Sequence, residues 1–266
     1  MIEWYKYLCE YYNVTPYESL ELGTRKTGRK PNLPGSATCS PVSEKTFEDI
    51  WALKDRESEQ EIFDFYKDQG SWSAFRQCVR HKDMANLHID LLSKTIKNNS
   101  TFCEYGCGVA PFTYTLLQVV DPEVNLNVYI SDVECEHFTF GEWRLKRLIE
   151  DRNLKNITLE AKPVLPNSLP TYDKKIDTLF IFEVLEHVPS PMSTIKNITN
   201  SLNVDGLLCE NFIKHQHVEN DLPGADLKSA AQEREEYYNF LKQNFILLTG
   251  NDSEENPNQT RVWRKI

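Results

Sequence analysis

The sequence lacks the features of a membrane or secreted protein. In 266 residues, no uninterrupted apolar run approaches the length of about 20 residues that a helix needs to cross a bilayer. The first residues, MIEWYKYLCEYY, are charged and aromatic where a signal peptide would be apolar. The seven cysteines include no Cys-x-x-Cys pair, which argues against a zinc site and a disulfide framework. We therefore expect reduced thiols and a cytoplasmic protein.

Positive charge is also scarce. The 30 Lys and Arg residues are outnumbered by 40 Asp and Glu residues, and the formal net charge is −10. A protein that grips a phosphate backbone usually presents a basic face, and no basic stripe with interleaved aromatic residues is evident here. Nucleic acids and membranes are therefore disfavoured as partners, and a small-molecule substrate is favoured. The oligomeric state is not predicted.

The segment TFCEYGCGVAP (residues 101–111) carries the most informative pattern. An apolar run ends in Glu104, and two glycines one residue apart, Gly106 and Gly108, precede Pro111. Glycines permit a tight turn and a close approach of backbone to a ligand, and proline is compatible with the first turn of a helix. The segment therefore predicts a buried strand that turns sharply into a helix beside a ligand. A dinucleotide fingerprint needs a small residue at the position of Pro111, so NAD is disfavoured.

Further apolar runs recur at the spacing of strands that alternate with helices. The run NVYISDV contains Asp132 near its end, and two more runs cover residues 176–188 and 206–212. Such alternation predicts an α/β fold with a parallel sheet. An acid at the position of Asp132 is where nucleotide-binding folds hold ribose hydroxyls.

These motifs together resemble the class I S-adenosyl-L-methionine-dependent methyltransferases. The shared elements are EYGCGVA, Asp132 and FEVLEHV, the last being similar to the type-11-like branch with E-x-x-E-H after the fourth strand. The resemblance implies a Rossmann-like, seven-stranded, mostly parallel sheet with a terminal antiparallel hairpin, formed by FILLTG and TRVWRKI. We expect a methyltransferase core over residues 86–266, preceded by a helical N-terminal cap or lid over residues 1–85 with a loop at 23–42.

The resemblance also implies roles for the cofactor-binding residues. Gly106 and Gly108 would pass beneath S-adenosyl-L-methionine, Glu104 would meet its amino-acid end, and Asp132 would hold its ribose. Phe182, in the apolar run of residues 176–188, is counted with them. Two ordinary alternatives stay open, namely that Glu104 is a solvated strand-end carboxylate and that Asp132 is a helix N-cap.

The adenine contact of the family is not matched. Relatives often carry an acid after the third strand that binds the adenine amine. Here the corresponding segment is LEAKPVLP, in which Glu160 is the one candidate and Lys162 stands close to it. The adenine-binding residue is therefore unassigned.

Glu183, Glu186 and His187 form the E-x-x-E-H motif. We expect Glu183 at the tip of the fourth strand, with Glu186 and His187 on the first turn of the next helix, and we assign catalysis to His187 and Glu183. The resemblance connects this spacing with metal-using ubiquinone-pathway O-methyltransferases and small-RNA terminal 2′-O-methyltransferases. In the second group a further histidine follows the next strand, where His215 and His217 lie.

A divalent cation (Mg, Mn or Zn) is therefore an open alternative, with Glu183, Glu186, His187 and His215 as its candidate ligands. Such a cation would lower the pKa of an acceptor hydroxyl. Metal-free relatives also carry this motif, however, with the acid capping the helix and the histidine bonded to a loop carbonyl. Without a metal, His187 would serve as a general base.

Four aromatic residues and one arginine of the N-terminal cap are candidates for the wall of the substrate pocket or its lid. The candidates are Trp51, Tyr66, Trp72, Phe75 and Arg76. Helices that lie over a pocket can keep water from the methyl donor. The alternative, favoured for any one aromatic residue, is that it fills the core of the cap itself.

The sequence thus favours an enzyme that transfers a methyl group from S-adenosyl-L-methionine to a small molecule, with oxygen preferred over nitrogen and carbon. An RNA 2′-O-methyltransferase shares the E-x-x-E-H motif but fits poorly with the net charge of −10. A non-catalytic partner subunit with a methyltransferase fold would not need a complete glycine loop. A dehydrogenase is the weakest alternative because of Pro111.

Overall fold

The computed structural model describes residues 2–15, 58–67, 72–213, 226–251 and 259–266. The described helices are α1 (Ile2–Tyr12), α2 (Glu59–Lys67), α3 (Trp72–Leu87), α4 (Ile89–Thr95), α5 (Pro111–Val119), α6 (Glu136–Asp151), α7 (Pro191–Ser201) and α8 (Lys228–Asn244). The strands are β1 (Ser100–Tyr105), β2 (Leu126–Val133), β3 (Ile157–Val164), β4 (Ile176–Ile181), β5 (Leu202–Glu210), β6 (Phe245–Thr249) and β7 (Arg261–Lys265). A short 3₁₀ turn covers Leu185–His187.

The described strands form one seven-stranded sheet in the order β3-β2-β1-β4-β5-β7-β6. Strands β1 to β5 pair in parallel, whereas β7 is antiparallel to both β5 and β6. This arrangement confirms the predicted Rossmann-like sheet with its terminal antiparallel hairpin. The order of the strands reverses at β1, and the carboxyl ends of β1, β2 and β4 therefore meet at one edge, where open α/β sheets bind ligands.

The burial of the strands follows their position in the sheet. Every residue of β1, which lies between β2 and β4, is buried, as expected for a strand covered by helices on both faces. The edge strand β3 instead exposes Glu160, and its Lys162 forms an ion pair with that carboxylate. The one sequence candidate for an adenine contact is thus engaged by its neighbour, and the adenine-binding residue stays unassigned.

The N-terminal helices share a hydrophobic core with the helices of the sheet domain. Tyr7 and Phe75 belong to the same buried cluster as Phe112 and Phe140. Phe75 therefore packs as a core residue, as the alternative for the cap aromatics predicts. The predicted domain boundary at residue 85 falls inside α3 and stays a prediction. The predicted loop at 23–42 lies outside the described residues.

Helix α3 ends at Leu87, and a separate helix α4 begins at Ile89. The sequence pattern predicts continuous helical spacing up to Lys97, so the break is a correction. At the break, His88 has φ −101° and ψ 7°, and its Nε2 lies 2.9 Å from Thr260 Oγ1. This contact joins residues 172 positions apart in the chain, and local periodicity cannot predict such a contact.

Within the described ranges, every helix is too short or too polar to traverse a lipid bilayer.

Candidate active site

The glycine loop connects β1 to α5 at the carboxyl edge of the sheet. Gly106 has φ +64°, Gly108 has φ +53°, and Ala110 also adopts a left-handed conformation with φ 54°. The amides of Gly106 and Cys107 both donate to the carbonyl of Ser131 in β2, at 2.7 and 3.1 Å. The predicted tight turn from strand to helix is therefore confirmed, and the loop is anchored to the neighbouring strand.

The two glycines face different parts of the molecule. A Cβ atom on Gly106 would lie 2.2 Å from Val184 Cγ2, in the segment after β4. A Cβ atom on Gly108 would lie 2.1 Å from Oε1 of Gln77, in helix α3. Both distances are far below the 3.5–4.0 Å, roughly, at which carbon atoms pack. The left-handed φ therefore favours glycine at both positions, and at Gly106 the contact with Val184 adds to this preference.

Glu104 lies at the end of β1 and is buried, with 3% of its surface exposed. Its carboxylate accepts hydrogen bonds from the backbone N–H of Phe112 (3.3 Å), from the backbone N–H of Thr113 (2.7 Å) and from Thr113 Oγ1 (2.6 Å). A carboxylate is favourable there because the first turn of α5 has unpaired N–H groups. Burial nevertheless raises the pKa of Glu104 to about 7. Of its two predicted roles, a solvated carboxylate is wrong, and the contact with the cofactor stays a prediction.

Asp132 lies near the carboxyl end of β2, against the glycine loop. Its Oδ2 accepts a hydrogen bond from the N–H of Gly108, and its Oδ1 accepts one from the N–H of Val133 at 2.6 Å. Burial raises the pKa of Asp132 to about 6, although both hydrogen bonds favour the charged form. Helix α6 has Cys135 as its N-cap residue, so the alternative in which Asp132 is the cap is wrong. The predicted ribose contact is not tested by these distances.

The segment after β4 begins with Phe182 and Glu183. The ring of Phe182 is buried against Phe112 and His88, with ring centroids 4.7 and 5.0 Å apart. Glu183 is half-buried and has φ 53°, a left-handed conformation that is uncommon for residues other than glycine. Its backbone N–H donates to Oδ1 of Asn211 at 2.7 Å. Backbone strain of this kind concentrates at functional sites.

The 3₁₀ turn Leu185–His187 carries the rest of the E-x-x-E-H motif. Helix α7 begins only at Pro191, with Ser190 as its N-cap, so the prediction that Glu186 and His187 lie on the first turn of that helix is wrong. The residue before a proline is disfavoured in the α-helical conformation, and Val188-Pro-Ser-Pro contains two prolines. The motif therefore lies on a separate turn at the edge of the sheet.

His187 lies between two buried carboxylates. Its Nε2 is 3.9 Å from Oε1 of Glu186, and its Nδ1 is 3.6 Å from Oδ1 of Asp226. Glu186 and Asp226 are only 2% and 8% exposed, whereas His187 is half-buried. Burial, together with the charges of Asp226 and Glu183, raises the pKa of Glu186 well above its ordinary value. The turn thus presents an imidazole between two buried acidic side chains.

The predicted metal ligands do not form a metal site among the described residues. Within the ranges given above, no group of three or more His, Cys, Asp or Glu side chains is placed to hold a metal ion. Among the described residues, Glu183, Glu186 and His187 do not form such a group, and the cation site predicted with His215 stays a prediction. The fourth candidate, His215, and its neighbour His217 lie outside the described residues.

Helix α2 contributes Tyr66 to the same edge of the sheet. Burial and the nearby carboxylates of Asp132, Glu186 and Asp226 raise the pKa of the Tyr66 phenol. Tyr66 also packs against a cluster of buried side chains that includes Phe65 and Leu185, and its predicted role as a pocket residue stays a prediction. Trp51 lies outside the described residues, as does the side chain of Trp72, and the roles predicted for them and for Arg76 stay predictions.

Sequence reasoning missed Gln77, Asn211 and Asp226. Gln77 and Asn211 each accept a hydrogen bond from a backbone N–H of the site, and Asp226 lies beside His187. None belongs to a recognisable motif. Each comes from a segment distant in sequence, so only the tertiary fold brings it to the site.

Residues 96–259 match a family model described as a methyltransferase domain. Among solved structures, the chain is similar to the MccD protein, with 14% identity over 69% of this chain and 98% of that chain and a TM-score of 0.49. It is also similar to the N-methyltransferase NodS from Bradyrhizobium japonicum WM9, with 18% identity over 70% and 97% of the two chains and a TM-score of 0.47. A third similar structure is the mitomycin 7-O-methyltransferase MmcR, with 13% identity over 73% of this chain and 57% of that chain and a TM-score of 0.46. None of the curated proteins compared with the chain matches it.

Proposed function

The chain belongs to the family of methyltransferase domains and is an S-adenosyl-L-methionine-dependent methyltransferase, and from this premise we propose that its acceptor is a hydroxyl group of a small molecule. The observation that supports a hydroxyl acceptor is the position of His187 between the carboxylates of Glu186 and Asp226. The net charge of −10 makes RNA the weaker choice of acceptor.

The residues at the edge of the sheet fit the cofactor. Bound S-adenosyl-L-methionine supplies a methyl group on an already activated sulfonium. The left-handed turn at Gly106 and Gly108 brings the backbone of the loop to the carboxyl edge of the sheet, and Asp132 presents a carboxylate beside Gly108. We assign the ribose hydroxyls to Asp132 and count Phe182 and Glu104 among the residues around the cofactor.

The protein must also remove the proton of the acceptor hydroxyl. A hydroxyl group is a weak nucleophile until a base takes its proton, and imidazole is the side chain most often used as that base. An imidazole that gains a proton becomes positively charged, and the carboxylates of Glu186 and Asp226 would stabilise that charge. In this proposal His187 accepts the proton, Asp226 and Glu186 orient the imidazole, and Glu183 adds negative charge near the cationic cofactor.

A panel of acceptors tests the proposal. The full chain is incubated with S-adenosyl-L-methionine and, separately, with phenols, alcohols, primary amines and a short RNA, and the release of S-adenosylhomocysteine is measured. The proposal predicts release with hydroxyl compounds. Release with amines alone, or with RNA alone, would overturn the hydroxyl acceptor, and no release with any compound would favour the non-catalytic alternative. Loss of activity with a chelator, restored by Mg, Mn or Zn, would favour a cation held with the help of His215.

The variant His187→Gln tests the base. It should lower kcat by a factor of about 10²–10⁴ while the affinity for S-adenosylhomocysteine stays unchanged. The control is His88→Gln, because His88 is a half-buried histidine at the same edge of the sheet that contacts Thr260 and the ring of Phe182 rather than the carboxylates, and the affinity of this variant for S-adenosylhomocysteine is measured alongside kcat. Equal losses in the two variants would contradict the role of His187.

A further inference from the structure

We infer that Gln77 of helix α3 is a positioning residue for the glycine loop, through which the N-terminal helices control how tightly the cofactor is held. The inference rests on the proposed function only in the identity of the ligand, S-adenosyl-L-methionine. Gln77 lies outside every motif of the sequence and precedes the loop by about thirty residues, as its hydrogen-bond partner Val109 is 32 positions further along the chain.

The first observation is a direct hydrogen bond. Oε1 of Gln77 accepts the N–H of Val109 at 3.2 Å. The backbone carbonyl of Val109 accepts a hydrogen bond from Nη2 of Arg144 in α6, and the N–H of Gly108 donates to Asp132. The Gly108–Val109 segment is thus held by three side chains from three different elements. Gln77 is the one of these that comes from the N-terminal helices.

The second observation is the place of the amide relative to Gly108. A Cβ atom on Gly108 would lie 2.1 Å from Gln77 Oε1 and 3.0 Å from its Cδ. The amide therefore fills the space that a side chain at Gly108 would occupy. Glycine at this position is explained by the left-handed φ of +53°, and any side chain there would push the Gln77 amide away from the N–H of Val109.

Helix α3 is anchored on both sides of Gln77. Ser73 Oγ lies 3.1 Å from Nδ1 of the buried His137, and Cys78 Sγ accepts a hydrogen bond from Arg144 at 3.5 Å. Two residues before Gln77, the ring of Phe75 packs on that of Tyr12 with centroids 4.8 Å apart, which joins α3 to α1. The Gln77 amide is therefore presented by a docked helix. A change in the docking of the N-terminal helices would alter the hydrogen bond between the N–H of Val109 and Gln77.

Isosteric variants of the full chain separate the hydrogen bond from the space that the side chain fills. Gln77→Leu keeps the size of the side chain and removes the acceptor, whereas Gln77→Glu keeps an acceptor oxygen in the same position. Gln60→Leu is the matched control, because Gln60 is an exposed glutamine on α2 whose side chain, among the described residues, donates to Asp64 of its own helix. Each protein is titrated with S-adenosylhomocysteine by calorimetry, and hydrogen exchange of the Val109 amide is measured without ligand.

We expect Gln77→Leu to weaken S-adenosylhomocysteine binding about tenfold and to speed exchange of the Val109 amide, since one hydrogen bond to the loop is lost. Gln77→Glu should bind within about threefold of the wild type, and Gln60→Leu should equal it. Binding of Gln77→Leu at the wild-type level would overturn the inference. So would an equal loss in Gln77→Glu, or slow exchange at Val109 in Gln77→Leu.

The two proposals fail in different ways. If the wild-type chain does not bind S-adenosylhomocysteine, the proposed function fails, and the exchange of the Val109 amide in the ligand-free protein still tests Gln77. If the wild type binds and the leucine variant binds equally well, only the role of Gln77 fails. A lower melting temperature of Gln77→Leu with unchanged affinity would show a purely structural side chain and would also overturn the inference.

Discussion

Replacing Gly106 by alanine would place a methyl group between the glycine loop and the segment that follows β4. The new Cβ would lie 2.2 and 2.7 Å from the two Cγ atoms of Val184, which follows Glu183 directly. Val184 is β-branched, so its side chain has little rotational freedom to move away. The new methyl group would therefore push the glycine loop against the segment that leads into the E-x-x-E-H turn.

Two costs add up in this variant. The left-handed φ of +64° costs an alanine about 1–2 kcal/mol more than it costs glycine. Overpacking against Val184 costs a further amount of about 1–3 kcal/mol. We expect Gly106→Ala to lower the free energy of unfolding by about 2–5 kcal/mol, and each kcal/mol corresponds to about 2–4 °C in melting temperature for a chain of roughly this size.

A double-mutant cycle with Val184→Ala separates the two costs. Removal of the two Cγ atoms leaves a Cβ–Cβ distance of 3.0 Å, so most of the clash is relieved while the strained φ remains. Unfolding in urea should therefore give a favourable coupling energy of about 1–3 kcal/mol between the two substitutions. Additive effects of the two substitutions would refute the clash and, with it, the packing of the glycine loop on Val184.

Three further variants test other parts of the account. Burial raises the pKa of Glu104 from 4.5 to about 7, so its contribution to stability is complete below pH 4.5 and falls by about 3 kcal/mol as the pH rises through 7. Glu104→Gln should flatten the decrease in unfolding free energy between pH 5 and pH 7.5, and an unchanged slope would contradict the buried carboxylate. The indole N–H of Trp263 donates to the buried Glu210 at 3.0 Å, so Trp263→Phe should cost about 2 kcal/mol in urea unfolding, and a cost below about 0.5 kcal/mol would argue against that bond. Asp132→Asn keeps one acceptor oxygen for the N–H of Gly108 but loses the charge and the acceptor for the N–H of Val133, and we expect S-adenosylhomocysteine affinity to fall about tenfold or more. Near-normal affinity would remove Asp132 from the ribose site.

The parts of the fold that depend on local sequence were predictable. Apolar runs such as residues 101–105 have the length and spacing of buried strands, and the positive φ values of Gly106 and Gly108 follow from turn chemistry. The position of Asp132 beside the loop followed from the parallel pairing of β1 and β2. These features depend on neighbours in the chain or on one strand pairing.

The parts of the site that depend on distant contacts were not predictable. The turn Leu185–His187 separates from α7, and Asp226 approaches His187 from a segment after β5. The carboxylate of Glu104 turns inward to the N-terminus of α5 instead of projecting into solvent, because Thr113 and Phe112 offer it hydrogen bonds. Gln77 reaches the loop through the docking of α3. Each of these contacts is a property of the packed molecule, which no local periodicity encodes.

The central claim is that the glycine loop beside Asp132 binds S-adenosyl-L-methionine, and calorimetric titration of the full chain with S-adenosylhomocysteine tests it most directly. NAD is the matched competitor, because it would use the same edge of the sheet but needs a small residue where this chain has Pro111. We predict saturable binding of S-adenosylhomocysteine at one site per chain and no binding of NAD. Binding of NAD without binding of S-adenosylhomocysteine, or binding of neither, would contradict the account.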